Sequence, residues 1–167
     1  PVITNLSSNS GSNLARDVDG NVWGWGDNRW GQFGLPETEF QPSALQVTGL
    51  SMIEEVSLGG QHGLARDVTG DVWAWGANGF GQAGEVPGPD LVAPHVVAGV
   101  SGASQISAGA DHNLAVTSGG ELWAWGGNAR GQLGDGTTVA RSTPLRVGQA
   151  TGVSAISAGG GFSLALA

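Results

Sequence analysis

Histidine is the side chain best suited to moving protons near neutral pH, and this chain carries three, His62, His95 and His112. General acid–base catalysis asks for such a group beside a carboxylate or nucleophile, and metal binding asks for a tight cluster of His, Cys, Asp or Glu. His62 and His112 stand fifty positions apart in like surroundings, Gln61-His62-Gly63-Leu64-Ala65 and Asp111-His112-Asn113-Leu114-Ala115. A residue copied from unit to unit normally does a structural job, so both are expected to hydrogen-bond a neighbouring turn. His95 follows Pro94, has no counterpart, and is expected as an exposed strand residue. No catalytic residue, metal ligand or cofactor site is expected.

Other chemistries are equally unsupported. Asp17-Val18-Asp19-Gly20-Asn21 begins like a calcium loop but lacks that loop's downstream Gly and Glu. It aligns with Asp67-Val68-Thr69-Gly70-Asp71 and Thr117-Ser118-Gly119-Gly120-Glu121, so it reads as one of three equivalent hairpin turns. The glycines recur around every turn, and a chain without Lys has no Gly-Lys-Ser or Gly-Lys-Thr phosphate cradle. No Gly-x-Ser-x-Gly nucleophile elbow is present. Asn5-Leu6-Ser7 is a formal glycosylation acceptor, but it aligns with Glu55-Val56-Ser57 and Gln105-Ile106-Ser107 on an expected inner strand, where a glycan would prevent packing.

The elements that position these residues follow from a period of fifty. Trp23, Trp73 and Trp123 share it, as do Trp25, Trp75 and Trp125, Gly26, Gly76 and Gly126, Asn28, Asn78 and Asn128, and Gly31-Gln32, Gly81-Gln82 and Gly131-Gln132. Leu14-Ala15, Leu64-Ala65, Leu114-Ala115 and Leu164-Ala165 extend it to a fourth start. The 167 residues thus hold about 3.3 units, at approximately 3–52, 53–102 and 103–152 with a partial fourth at 153–167, in one array.

Within a unit, Ile106-Ser107-Ala108, His112 to Val116, Glu121 to Trp125 and Pro144 to Val147 read as four short strands around Gly-containing turns. Four antiparallel strands per unit make an all-β, propeller-type blade. Alternation puts Trp23 and Trp25 on one face of their strand, with Gly24 on the other, and likewise Trp73 and Trp75 around Ala74 and Trp123 and Trp125 around Ala124. The indoles are expected to pack against the bare face of the neighbouring sheet, each burying roughly 150–250 Å².

Composition agrees. There are 31 Gly and seven Trp among 167 residues, with no Cys, which suits a turn-rich β array free of disulfides and thiolate chemistry. A formal charge of −8 argues against a nucleic-acid partner, since phosphate binding relies on clustered Lys and Arg. No apolar run is long enough to span a membrane as a helix, and the compartment is left open between secreted and cytoplasmic.

The combined pattern Ala108-Gly109-Ala110-Asp111-His112-Asn113-Leu114-Ala115, Gly120, Leu122-Trp123-Ala124-Trp125-Gly126, Asn128 and Gly131-Gln132-Leu133-Gly134 resembles the repeat of the regulator of chromosome condensation family. The resemblance implies a seven-bladed propeller of four-stranded blades, used mostly as a platform for protein partners. The units here make about half of such a ring. Either the chain is part of a longer one, or copies associate; a homodimer would supply about 6.7 repeats. In the first unit Ser8-Asn9-Ser10-Gly11-Ser12 replaces the Ala-Gly-Ala-Asp-His of the third, as end repeats often do.

If the repeated residues build the frame, binding belongs where the units differ. The pair before each Gly-Gln reads Arg29-Trp30, Gly79-Phe80 and Ala129-Arg130, types enriched at interface hot spots, although packing within the blade also accounts for an aromatic there. The second variable region runs through Leu35 to Pro42, Glu85 to Leu91 and Asp135 to Arg141, and includes Phe40 and Arg141. The candidate binding residues are therefore Arg29, Trp30, Phe40, Phe80, Arg130 and Arg141. The leading expectation is a non-enzymatic scaffold for an unidentified protein partner.

Alternatives are a lectin-like propeller, with Trp30 and Phe80 stacking on sugars, or a designed or excised array without a ligand. The family's guanine nucleotide exchange on Ran is not carried over, because no inserted wedge is visible. Ultraviolet sensing lacks its Gly-Trp-Arg-His-Thr motif, Gly60-Gln61-His62-Gly63 standing in its place.

Overall fold

In a computed structural model, which describes residues 1–9, 11–35, 38–148 and 150–167, the chain forms antiparallel sheets and, among the described residues, no helix. Strands β1 (Ile3–Ser8), β2 (Ser12–Asp17), β3 (Val22–Asn28) and β4 (Thr38–Gln46) make the first sheet in chain order. The second holds β5 (Ile53–Leu58), β6 (His62–Asp67), β7 (Val72–Gly76) and β8 (Leu91–Val96), and the third β9 (Ala103–Ala108), β10 (His112–Thr117), β11 (Leu122–Gly126) and β12 (Arg141–Arg146). A two-stranded sheet of β13 (Ala155–Ala158) and β14 (Ser163–Leu166) follows. The result is a partial propeller.

The hairpins form where the sequence places them. Asp17 Oδ1 accepts the N–H groups of Asp19 and Asn21, and Asp67 Oδ1 those of Thr69 and Asp71, while Gly20 (φ 80°) and Gly70 (φ 83°) supply the left-handed residue. The other Asp oxygen accepts an indole N–H, Trp23 Nε1 at 2.9 Å from Asp17 and Trp73 Nε1 at 2.9 Å from Asp67. The Trp23 bond is the largest cause holding the Asp17 carboxyl down at about 2. In the third sheet Thr117 replaces the Asp, and the buried Trp123 Nε1 has no partner among the described residues.

The outer strands start earlier than the Pro-led run suggests. β12 begins at Arg141, so Pro144 lies inside it and Pro94 likewise inside β8; both strands are sheet edges, where the missing N–H costs no ladder bond. β4 reaches back to Thr38, so Phe40 sits on a strand rather than in a loop. Of the variable segment before it, Pro36 and Glu37 lie outside the described residues, as does Ser10 of the divergent first-unit run.

The cores lie between sheets. Leu14, Val22, Phe33 and Val47 of the first sheet's unit cluster with Val56, Leu58, Ala65 and Trp75 of the second. Leu64, Val72, Ala83 and Val97 of the second cluster with Ile106, Ala108, Ala115 and Trp125 of the third. Inner strands are also laced together: Ser7 Oγ accepts the Leu58 N–H at 2.8 Å, Ser57 the Ala108 N–H at 2.9 Å and Ser107 the Ala158 N–H at 2.9 Å. Asn5 Oδ1 accepts the Val56 N–H at 2.8 Å, so this amide is engaged in the same lacing.

The two indoles of a pair differ. Trp75 and Trp125 are fully buried and donate into the preceding repeat, whereas Trp73 and Trp123 are only partly buried against the same clusters. Trp25 of the first sheet is half-buried. The bare face is shared: in the first unit Phe33 covers Gly24, where a Cβ would lie 2.7 Å from Phe33 Cγ, and Trp75 of the next sheet joins the same cluster as Leu14, Val22 and Phe33. At each second indole the pairing with the outer strand shifts, between Gly24 and Gly26, Ala74 and Gly76, and Ala124 and Gly126. The glycine that follows takes φ of 104°, 94° and 97°, which explains the invariant Trp-Gly within the chain.

Candidate functional site

After the third strand of each unit the chain makes a clamped turn. Asn28 Oδ1 accepts the Phe33 N–H at 3.0 Å, Asn78 Oδ1 the Ala83 N–H at 3.2 Å and Asn128 Oδ1 the Leu133 N–H at 3.0 Å. Inside that loop Gln32, Gln82 and Gln132 accept through Oε1 from the N–H of Trp30, Phe80 and Arg130, at 3.0, 2.8 and 2.9 Å. The Asn and Gln of the repeat thus fix the backbone, and the side chain two residues before each Gln is free to vary.

Those side chains stand at the mouths of clefts between units. Trp30, 40% exposed, borders a cleft of about 250 Å³ with Asn9, Arg29, Gly60 and Gln61. Phe80, 50% exposed, borders one of about 220 Å³ with Asp111, Asn128 and Thr138. Arg130 borders one of about 350 Å³ with Gly161 and Phe162. The Trp30 and Phe80 clefts lie on the rim where first strands pass to second strands and third strands to fourth, and the Arg130 cleft starts there and runs along the sheet to Leu122 and Val147.

The remaining candidates separate from this set. Arg29 is exposed and pairs with Asp27, its Nε 3.0 Å from Oδ1; that hydrogen bond is the largest cause holding the Asp27 carboxyl below its usual range. Arg141 Nη2 lies 2.9 Å from Asp135 Oδ2. The Asp135 carboxyl is held well below the ordinary range, first by the Thr137 side chain. Phe40, 64% exposed, stands opposite Asp27 on the outer strand. The structure therefore gathers Arg29 and Trp30 in one cleft, puts Phe80 and Arg130 in equivalent ones, and leaves Phe40 and Arg141 on outer strands.

The histidines are clasps. His62 Nε2 lies 2.6 Å from Asn113 Oδ1, and Asn113 Nδ2 donates to the Gln82 carbonyl at 2.7 Å. His112 Nε2 lies 2.9 Å from Ser163 Oγ, which donates to the Gln132 carbonyl at 2.7 Å. Burial pushes the His62 imidazole down to about 4 and lowers His112 as well. Asn113 and Ser163 were not singled out in the sequence; the signal is that the position after the repeat's His position holds Asn113 and Ser163 in the units preceded by His62 and His112, but Gly63 in the unit preceded by Ser12. His95 differs from expectation, being half-buried with Nε2 shielded and unpartnered among the described residues. Among the described residues no group of three His, Cys, Asp or Glu side chains could hold a metal ion.

A family model, the regulator of chromosome condensation (RCC1) repeat, matches residues 19–66, 69–116 and 119–166, and a second of the same description matches 53–82 and 103–132. A search of curated proteins returned no significant match. The crystal structure of human WBSCR16 superposes with a TM-score of 0.89 at 23% identity, covering 99% of this chain and 44% of that one. Prp20p from Saccharomyces cerevisiae, whose structure was reported with its binding to Gsp1p and histones, gives 0.86 at 20% identity, over 98% and 43%. Yeast RCC1 (Prp20) bound to Kap60 gives 0.89 at 19%, over 98% and 41%. The chain spans less than half the length of these structures, which share its propeller fold.

Proposed function

This chain belongs to the regulator of chromosome condensation repeat family, and from that premise we propose that it is a non-enzymatic propeller scaffold that holds protein partners on the rim carrying Trp30, Phe80 and Arg130. One observation carries the reading: three turns with the same Asn and Gln clamps display three different side chains, two of them exposed aromatics, at clefts between units. Rigid backbone with exchangeable aromatic and Arg side chains is the composition of interface hot spots. Protein binding by solved neighbours, Prp20p with Gsp1p and histones and yeast RCC1 with Kap60, supports the same class of function. Arg29, Phe40 and Arg141 extend the surface outward.

The test is affinity capture from the source cell with the chain and with a Trp30→Ala, Phe80→Ala double variant. A partner retained by the first and lost by the second, with thermal unfolding unchanged, supports the reading. Equal capture by both, or strong glycan-array binding that the double variant loses, overturns it. Self-association to complete a ring is a separate reading, favoured by exposed apolar side chains at both ends of the array, Leu6 at 59% and Leu164 at 61%. A sedimentation profile that stays monomeric across concentration removes it.

A further inference from the structure

The three clefts share one frame but not one charge. In the first, Trp30 stands with Gln61, and the Asp27 carboxylate there is already taken by Arg29, whose Nε lies 3.0 Å from Oδ1. In the third, Arg130 occupies the aromatic's place and Gly161 the place of Gln61; a Cβ there would lie 3.0 Å from Arg130 Cδ. The middle cleft, of about 220 Å³ between the second and third units, combines Phe80 with Asp111. Ala77 and Gly79 stand where the first unit has Asp27 and Arg29, so this cleft receives no cation from its own turn.

Asp111 is held in place and left without a partner. Its carbonyl accepts the Gly127 N–H at 2.7 Å, and its Cβ sits over Gly127, where an added Cβ would come within 3.1 Å. Its carboxylate makes no hydrogen bond or ion pair among the described residues. His112, next along the chain, is buried against Ser163 and pushed down by burial, so it leaves that charge uncompensated at neutral pH. Arg141 is paired with Asp135, and Arg130 borders the neighbouring cleft. Phe80 is half-exposed on a backbone fixed by Gln82 Oε1 at 2.8 Å.

An aromatic ring beside an unpaired carboxylate in a shallow cleft is a receptor for a cation. Guanidinium suits it better than ammonium. The planar group is weakly hydrated, stacks on a ring and still directs N–H donors at a carboxylate, whereas a lysine ammonium is a compact, strongly hydrated point charge. The remaining wall includes Gly127, Ala129, Thr138 and Ala140, small residues that leave room for the methylene stem. The volume lies below the roughly 300–1,000 Å³ of small-molecule sites, so the cleft holds one side chain rather than a whole cofactor.

We propose that this cleft receives an arginine side chain of a protein partner, its guanidinium stacked on Phe80 and paired with the Asp111 carboxylate. The proposal rests on the rim reading above and names the chemistry of one contact in it. The first cleft holds the same three kinds of group supplied by a single chain, Trp30, Asp27 and Arg29. The formal charge of −8 favours a basic segment as the source of the arginine.

The test titrates the full, isotopically labelled chain with Nα-acetylarginine methylamide and follows the amide resonances of Phe80, Gly127 and Thr138 by NMR. Saturable shifts at these amides are expected. Binding should weaken about threefold or more with the lysine counterpart, and about fivefold or more with the neutral citrulline counterpart or with the Asp111→Asn chain. Asn keeps the backbone carbonyl that Gly127 uses, so the fold is retained and the rest of the spectrum should not change. Shifts that do not saturate, equal binding of the citrulline compound, or undiminished binding by Asp111→Asn overturn the proposal. A negative titration with partner capture lost by the Trp30→Ala, Phe80→Ala double variant sinks the arginine contact and keeps the rim. A positive titration with equal capture sinks the rim reading, and with it the partner as the source of the arginine.

Discussion

His62 and Asn113 are 51 positions apart in sequence, yet His62 Nε2 and Asn113 Oδ1 meet at 2.6 Å in the interior between the second and third sheets. The Asn113 amide is oriented by its own donation to the Gln82 carbonyl, so its oxygen faces the ring and the neutral His62 carries its proton on Nε2. Both residues are fully buried, and the clasp joins three backbone segments of two units.

That clasp makes stability depend on pH. Unfolded histidine takes up a proton near 6.5, while burial, partly offset by the Asn113 bond, holds the folded His62 to about 4. Between these values the unfolded state binds more protons, so stability is present above about pH 6.5 and is lost as pH falls towards 4, by about 3 kcal/mol in all. His112, also lowered by burial, acts in the same direction. Urea midpoints at neutral pH and near pH 4.5 should differ more for the parent chain than for His62→Gln; the same difference in both would refute the assignment.

Trp75→Ala is expected to destabilise by about 3–5 kcal/mol, the usual cost of emptying a large buried aromatic site. Trp25→Ala, at the same repeat position but half-buried, should cost clearly less. Chemical denaturation of both variants checks the ranking, and equal losses would mean that the indoles do not join the sheets.

Gly24→Ala should destabilise by about 1–3 kcal/mol, because the new methyl would sit 2.7 Å from the Phe33 ring. Adding Phe33→Ala recreates the Ala74 and Ala83 combination of the second unit and should recover part of the loss. A double-mutant cycle reads the coupling, and strict additivity would count against the contact.

Thr117→Asp is expected to raise stability by about 1 kcal/mol by giving the buried Trp123 Nε1, which has no partner among the described residues, the carboxylate that Trp23 and Trp73 already have. Asp67→Thr should lower it by a similar amount. Thermal unfolding of the two variants tests the pair, and opposite signs are the diagnostic outcome.

The sequence alone determined the period of fifty, the four-strand units, the hairpin turns at Asp17 and Asp67 and the common face of each Trp pair. These are local properties: side-chain alternation and turn chemistry act over two to five residues, and a repeat displays them several times. It also marked Trp30 and Phe80 as variable positions, since a clamped turn leaves its signature in the Asn and Gln that surround it. Only the tertiary structure decided which indole of a pair crosses to the preceding unit, that Phe33 covers Gly24, and that Asn113 and Ser163 receive the histidines. The indole and histidine contacts join residues 43 to 51 positions apart, across sheets whose relative placement no local pattern encodes.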